Sequence, residues 1–462
     1  MSGLRLPDRS LGRGLHACRR PRALETIFYP PKRFRPTSLS SSRYYTTYAF
    51  TPPVANPEAT SSVRPSSIPN SLQYWLFGCS ALVLGILVIG GLTRLTESGL
   101  SITEWQPITG ILPPITSAEW DTEWEKYKVS PEGVLIEMSE FKRIFYMEWA
   151  HRIAGRTLGV AFVVPAIYYV SRYRLPQPLP AKLLFIALGI GFQGLLGWYM
   201  VKSGLEQEII EIKGVPRVSQ YRLAAHLSAA LALYIGMLHT ALGLRHDLKV
   251  MSMTTVGHTG RSTASQFAEM LTFPAVRRYK GLVRIAGSMV FLTAVSGAFV
   301  AGLDAGLVYN EFPTMGGRLI PPTSELMDDR YAKKSDGGDR WWRNMLENPV
   351  TAQFDHRIFA TTTFAVLLSL PFVARFRILR VGVSALPSST IRLANLTAVA
   401  AVGQVTLGIT TLLYLVPVPL AAMHQAGSVI LLTCLTALGV SLRRPGRGLA
   451  MVKRGLEERK KA

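Results

Sequence analysis

Eight stretches of about twenty residues with almost no charge dominate this sequence. The hydrocarbon core of a bilayer is about 30 Å thick, and an α-helix crosses it in roughly 20 apolar residues. Residues 74–93, 183–201, 285–303 and 393–414 contain no Asp, Glu, Lys or Arg. Residues 223–244 are interrupted only by two histidines and 416–442 by one. Two further stretches, 148–170 and 354–374, carry their charges near their starts. In lipid each backbone N–H and C=O has to be paired within the protein, which leaves helices as the spanning form for runs of this length. The expected class is an all-α polytopic membrane protein with eight transmembrane helices.

The connections orient those helices. The chain has a formal net charge of +22, but only 17% of its residues are charged and 48% are hydrophobic, which does not suit a basic nucleic-acid-binding domain. With the N-terminus inside, the inner segments (1–73, 171–182, 245–284, 375–392, 443–462) hold 33 Lys/Arg and 7 acids, against 15 and 20 in the outer ones. That is the positive-inside pattern. The basic excess reports membrane orientation, the partner is the lipid bilayer, and no nucleic acid is required. Residues 1–64 hold eleven Lys/Arg, ten of them Arg, with three acids and several Ser/Thr clusters. This reads as a mitochondrial presequence, cut near Arg43-Tyr44-Tyr45, rather than a disordered basic arm, because an apolar span follows at once. Both termini are then expected in the matrix, in a multi-pass protein of the mitochondrial inner membrane. Three scattered cysteines (Cys18, Cys79, Cys434) make neither a disulfide framework nor a zinc site.

The two halves repeat. Glu97-Ser98-Gly99-Leu100 parallels Asp304-Ala305-Gly306-Leu307, and His151-Arg152 parallels His356-Arg357. Gln193-x-x-x-Gly197 parallels Gln404-x-x-x-Gly408, and Leu223-Ala224-Ala225-His226 parallels Leu420-Ala421-Ala422-Met423-His424. Each match falls on the corresponding element of a four-helix unit, and an even number of spans gives both copies one orientation. The expected organisation is two tandem pseudo-symmetric four-helix bundles. Residues 1–70 are presequence and linker, 71–245 the first bundle, 246–280 a matrix linker, 281–445 the second bundle and 446–462 a basic matrix tail.

Ionisable groups inside spans are costly and point to function. Of eight histidines, the repeat-matched His151, His226, His356 and His424 each enter near the outer end of an even-numbered span. Two facing imidazoles within an apolar bundle suit axial ligation of a haem iron. Copper or zinc wants a third or fourth ligand, and none repeats. The competing role is a hydrogen bond between helices, which suits the unmatched His239 better than four paired residues. Glu148 lies one turn before His151 on the same face, where the second half has Gln353. That difference suggests a reacting site and a service site. Glu148 is either a carboxylate that takes protons or stabilises developing positive charge, or a structural partner of Arg152 or Arg156. Arg152 and Arg357, each following a proposed ligand, are candidate partners of haem propionates or simple helix-end arginines. A di-iron site needs a second Glu-x-x-His and further glutamates, and Glu148-Trp149-Ala150-His151 occurs once.

Glu148-x-x-His151-Arg152, the four histidines, the duplicated plan and the run Gly99-Leu100-Ser101-Ile102-Thr103-Glu104-Trp105 resemble the haem A synthase family, in its mitochondrial form, over about 72–445. The resemblance implies an oxidoreductase that oxidises a methyl group of haem O to the formyl group of haem A for cytochrome c oxidase assembly. It implies haem b held by His356 and His424, substrate haem held by His151 and His226, and Glu148 as the catalytic carboxylate. It further implies haem O delivered by a farnesyltransferase, electrons from a ferredoxin and its reductase, and hand-over to cytochrome oxidase assembly factors; a homo-oligomer is open through 246–284. Many bacterial members carry a cysteine pair in the first outer loop, whereas 94–147 here contains none. A bis-histidine dihaem b cytochrome that only carries electrons is the alternative.

Overall fold

A computed structural model of the chain describes residues 68–106, 112–128, 136–204, 217–255, 263–377 and 386–444. The expected presequence, its cut site and the tail 446–462 lie outside the described residues. Eight of the helices are long and apolar enough to cross a membrane. They are α1 (Asn70–Leu95), α3 (Met138–Arg172), α4 (Leu179–Lys202), α5 (Gln220–Thr255), α7 (Pro274–Gly302), α10 (Pro349–Phe372), α11 (Ser388–Leu413) and α12 (Val418–Ser441). Shorter helices are α2 (Ser117–Lys128), α6 (Thr263–Met270), α8 (Thr323–Leu326) and α9 (Arg340–Glu347). Among the described residues, sheet pairing is confined to a bridge between Met315 and Arg318.

Local chemistry sets where the spans begin and end. Proline occupies the first or second position of α4, α7, α10 and α12, where its missing N–H breaks no helical bond. Asn348 caps α10 by accepting from the Val350 amide at 2.9 Å. Beyond the outer ends of α1 and α7 the chain turns through Glu97 (φ 52°) and Asp304 (φ 49°). Left-handed backbone is uncommon without glycine, and here it falls on two positions that the repeat equates.

In each half of the chain, consecutive spans pack on one another and the fourth returns to the first. Contacts between halves run from α5 to α7 and α12, and from α1 to α12. One apolar core therefore serves both, with Leu76, Phe162, Leu183 and Met237 from the first half and Val290, Leu367, Leu432 and Leu435 from the second. Polar ties cross the same seam. The Gln425 amide donates to the Leu87 carbonyl at 2.9 Å, and the Tyr234 and Thr433 hydroxyls lie 2.7 Å apart. At the outer end Arg94 donates to the Ala301 carbonyl (2.8 Å) and pairs with Asp304 (2.9 Å). At the opposite end Arg443 pairs with Asp247.

Hydropathy places the start of the second span at 148, yet α3 begins ten residues earlier at Met138. The extra turns carry Phe141, Ile144 and Phe145 at helical spacing, and these bury against Trp120 and Tyr127 of α2. The helix is longer than its apolar run because these turns have an apolar partner of their own in α2. On the other half, the loop 303–348 is knit by buried Asp339, Asn344 and Asn348. Its α9 reaches the first half, where Tyr221 of α5 donates to Glu347 at 2.9 Å.

Candidate functional site

The four repeat-matched histidines sit on α3, α5, α10 and α12, one to each even-numbered span. His151 lies within electrostatic reach of His226, and His356 of His424. Each imidazole rests against a glycine of the preceding span. A Cβ added to Gly90 would lie 2.8 Å from Cε1 of His151, and one on Gly197 3.4 Å from Cε1 of His226. In the second half, a Cβ on Gly297 would lie 3.2 Å from Cε1 of His356, and one on Gly408 2.7 Å from Cε1 of His424. The odd-numbered spans thus supply a groove of backbone for each ring.

The ring nitrogens are treated differently in the two halves. Nδ1 of His356 is 2.8 Å from the Ser296 hydroxyl, and Nδ1 of His424 is 3.1 Å from the Gln404 amide, which also donates to the His424 carbonyl at 2.8 Å. Nδ1 of His151 and Nδ1 of His226 are buried with no hydrogen-bond partner. Gln193, at the position of Gln404, also leaves a buried carbonyl oxygen unpaired.

Glu148 is 3% exposed and is held as an acceptor. Its Oε2 receives the Ser101 hydroxyl at 2.7 Å and the Ile102 amide at 2.9 Å, and its Oε1 receives Arg152 at 2.6 Å. Both readings of Glu148 meet here: it pairs with Arg152, one turn on, and it stands one turn before His151. Arg152 also donates to the carbonyls of Ile102 and Glu104, both at 2.9 Å. Gln353 and Arg357 repeat the plan without the charge. Gln353 donates to the Tyr309 carbonyl at 3.0 Å, while Arg357 donates to Tyr309 at 3.0 Å and to Thr314 at 2.9 Å. The outer loops are therefore strapped onto α3 and α10 beside the histidines. Nε of Arg357 remains buried and unpaired. His239 stands apart from the four, on the inner half of α5, with Lys182, Lys280 and Arg443 as its charged neighbours. Cys79 and Cys434 are buried free thiols.

A family model described as cytochrome oxidase assembly protein, COX15-CtaA, matches residues 73–436. The chain belongs to the COX15-CtaA family. Relatives in this family include the heme A synthase-mitochondrial ferredoxin fusion protein of Schizosaccharomyces pombe, 46% identical over 80% of this chain and 60% of the relative. The heme A synthase COX15 of Saccharomyces cerevisiae is 43% identical over 89% of this chain and 82% of its own length. The heme A synthase of the bacterium Nitrosospira multiformis is 39% identical over 82% and 95% respectively. The COX15-CtaA match takes in six spans whole and all but the first three residues of α1 and the last five of α12, and with them the four histidines, Glu148, Gln353, Arg152 and Arg357.

Donor chemistry and space both suit haem in this COX15-CtaA chain. Imidazoles in pairs are axial ligands for iron. Two of them carry an orphaned buried nitrogen, and all four lie in backbone grooves with no side chain on the facing glycine. Sequence reading found the histidines and Glu148 but passed over Gly90, Gly297, Ser101 and Ser296. The repeat register held the missing signal: Gly90 and Gly297 stand equally far before the left-handed residues Glu97 and Asp304.

Proposed function

We infer that this chain is a haem A synthase of the mitochondrial inner membrane, an oxidoreductase that oxidises a methyl group of haem O to the formyl group of haem A. The reaction proceeds by successive hydroxylations and loss of water from the hydrated aldehyde. The observation that carries the assignment of parts is the difference between Glu148 and Gln353 at equivalent, buried positions beside equivalent histidines. In this reading the chain is two tandem pseudo-symmetric four-helix bundles, 71–245 and 281–445, with both termini in the matrix.

His151 and His226 hold the substrate haem in the first bundle, and His356 and His424 hold a resident haem b in the second. That cofactor supplies one-electron redox chemistry when bound. Glu148 is the catalytic carboxylate. Its support by Ser101, Ile102 and Arg152 holds it in place along the face it shares with His151. There it takes a proton from, or stabilises positive charge on, the methyl being oxidised. Gln353 offers neither service, which leaves the second site to binding and redox. Arg152 and Arg357 strap the outer loops over the two sites, and the unpaired Nε of Arg357 is a donor for a haem propionate. A pure electron carrier has no use for the Glu148/Gln353 difference, so the dihaem cytochrome explains less.

The fusion of a relative to mitochondrial ferredoxin supports a ferredoxin as electron source. Haem O comes from a farnesyltransferase and haem A passes to cytochrome oxidase assembly factors; self-association would use the matrix linker. Glu148→Ala tests the assignment directly. Extracted pigments should still contain haem b and haem O, with haem A gone. Haem A at the normal rate from that variant would remove Glu148 from the chemistry. Replacing His356 or His424 by Ala should abolish the low-spin haem b spectrum.

A further inference from the structure

The halves differ at a second place, and it concerns how firmly each imidazole is held. The Ser296 hydroxyl donates its proton to the Thr293 carbonyl of its own helix at 2.8 Å. What it presents to Nδ1 of His356, 2.8 Å away, is therefore a lone pair. In that arrangement Nδ1 carries the hydrogen, and Nε2 keeps the free pair that an iron ligand needs. In the first half the same register places Ile89 before Gly90, as Ser296 stands before Gly297. Isoleucine offers no acceptor, so His151 is left with the Ile86 backbone alone, where His356 has both the Thr293 backbone and the Ser296 hydroxyl.

The other histidine pair also differs between the halves, but through a contact that fixes where the ring lies and not its tautomer, because the Gln404 amide can only donate. Gln404 closes over His424 because position 427, three residues after it, is glycine. A Cβ there would lie 2.2 Å from the Gln404 carbonyl oxygen. Three residues after His226 stands Ala229, where the second half has glycine. Nδ1 of His226 is unpaired, while the side-chain oxygens of Gln193 and Gln404 are buried without a partner in both halves.

Resting on the haem assignment above, we propose that Ser296 is a positioning residue that locks His356 as a permanent ligand, and that Ile89 makes His151 the exchangeable one. A cofactor must stay through every turnover, whereas a substrate must enter and a product must leave. A ring held by a side chain as well as by backbone suits the first demand; an imidazole with no side-chain partner swings away at less cost and suits the second. Loss of such an outer partner commonly weakens metal-site affinity by about 10- to 100-fold.

The test uses the full chain purified in detergent. Ser296→Ile, Ser296→Thr and Ile89→Ser are compared by haem b retained through gel filtration and by carbon monoxide binding to the reduced pigment. Wild-type haem b, with both axial positions filled, should not react with carbon monoxide. Ser296→Ile should retain haem b about 10- to 100-fold more weakly and become carbon monoxide-reactive. Ser296→Thr, which restores the hydroxyl, should behave as wild type. Ile89→Ser should co-purify with more haem O and release haem A more slowly. Ser296→Ile that stays unreactive with wild-type retention overturns the proposal. If Ser296→Ile does not fold, Ile89→Ser decides alone, and unchanged haem O retention overturns it. His356→Ala separates the two levels: an intact haem b spectrum there refutes the ligand assignment, whereas its loss together with an unreactive Ser296→Ile refutes only the anchor.

Discussion

A glycine facing each histidine turns ligand geometry into something a single methyl group can probe. Alanine at these positions forces the Cβ contacts given above, and overpacking of this kind costs about 1–3 kcal/mol. The expected order of damage follows the distances. Gly408→Ala (2.7 Å) and Gly90→Ala (2.8 Å) should displace their rings, Gly297→Ala (3.2 Å) should strain its own, and Gly197→Ala (3.4 Å) should be tolerated. Gly403→Ala and Gly85→Ala, on the same two helices as the worst pair, meet nothing within 4 Å and serve as controls. The check is the low-spin haem b spectrum per folded protein. Gly408→Ala should diminish it and Gly403→Ala should leave it unchanged. Histidine and glutamate inside an apolar span announce themselves in a sequence because burying them is costly. Glycine does not, since it is frequent in membrane helices for ordinary packing reasons. The four histidines were legible for that reason, and the glycines that face them were not.

At the scale of elements, the same division falls between lipid-facing and water-facing parts. The bilayer demands a long apolar run for each span, so all eight were legible from hydropathy. The outer parts answer to local partners: α3 extends because α2 lies beside it, and the loop 303–348 holds its shape through buried polar groups. No periodicity marks such groups. Asp339 is the clearest case, 2% exposed, taking Arg343 at 2.6 Å and the amides of Lys334 and Lys333 at 3.2 and 3.3 Å. Desolvation pushes its carboxyl up, but the Arg343 hydrogen bond and the two amides outweigh it and hold the group below the ordinary aspartate range. A depressed acid stabilises the fold above its unfolded value and loses that contribution as pH falls through the folded value. Protection factors across 328–347, with exchange taken relative to the intrinsic rate at each pH, should therefore stay high from neutral pH down to about pH 4, the unfolded aspartate value, and fall only below it. Asp339→Asn, which cannot pair with Arg343 as an anion, should show fast exchange there already at neutral pH. Equal protection in both proteins at pH 7 would show that the aspartate does not hold the loop.

For the whole molecule the question is whether two halves that repeat each other also act on each other. The repeat and the charge asymmetry could be read from residues alone, since both are patterns along the chain. The seam could not, because Gly91 and Gln425 meet only when α12 lies against α1. There the Gln425 side chain occupies the place of a Gly91 Cβ, which would fall 1.7 Å from its carbonyl oxygen, while its amide donates to Leu87. Gln425 is the residue after His424, so a displacement of this side chain bears on the second-half ligand. Gly91→Ala must push Gln425 out or move α12, at a cost of about 1–3 kcal/mol. Although the substitution lies in the first half, on the helix that cradles His151, its effect is expected on the second-half haem b: a shifted or weakened low-spin spectrum. Gly85→Ala, on the same helix with open space around it, should leave that spectrum alone. If the two variants gave the same haem b spectrum as wild type, the halves would be mechanically independent and the seam only a packing surface. A change confined to Gly91→Ala would instead make the seam a path by which events at His151 and His226 reach the haem proposed for His356 and His424, carried by one hydrogen-bonded side chain between α1 and α12.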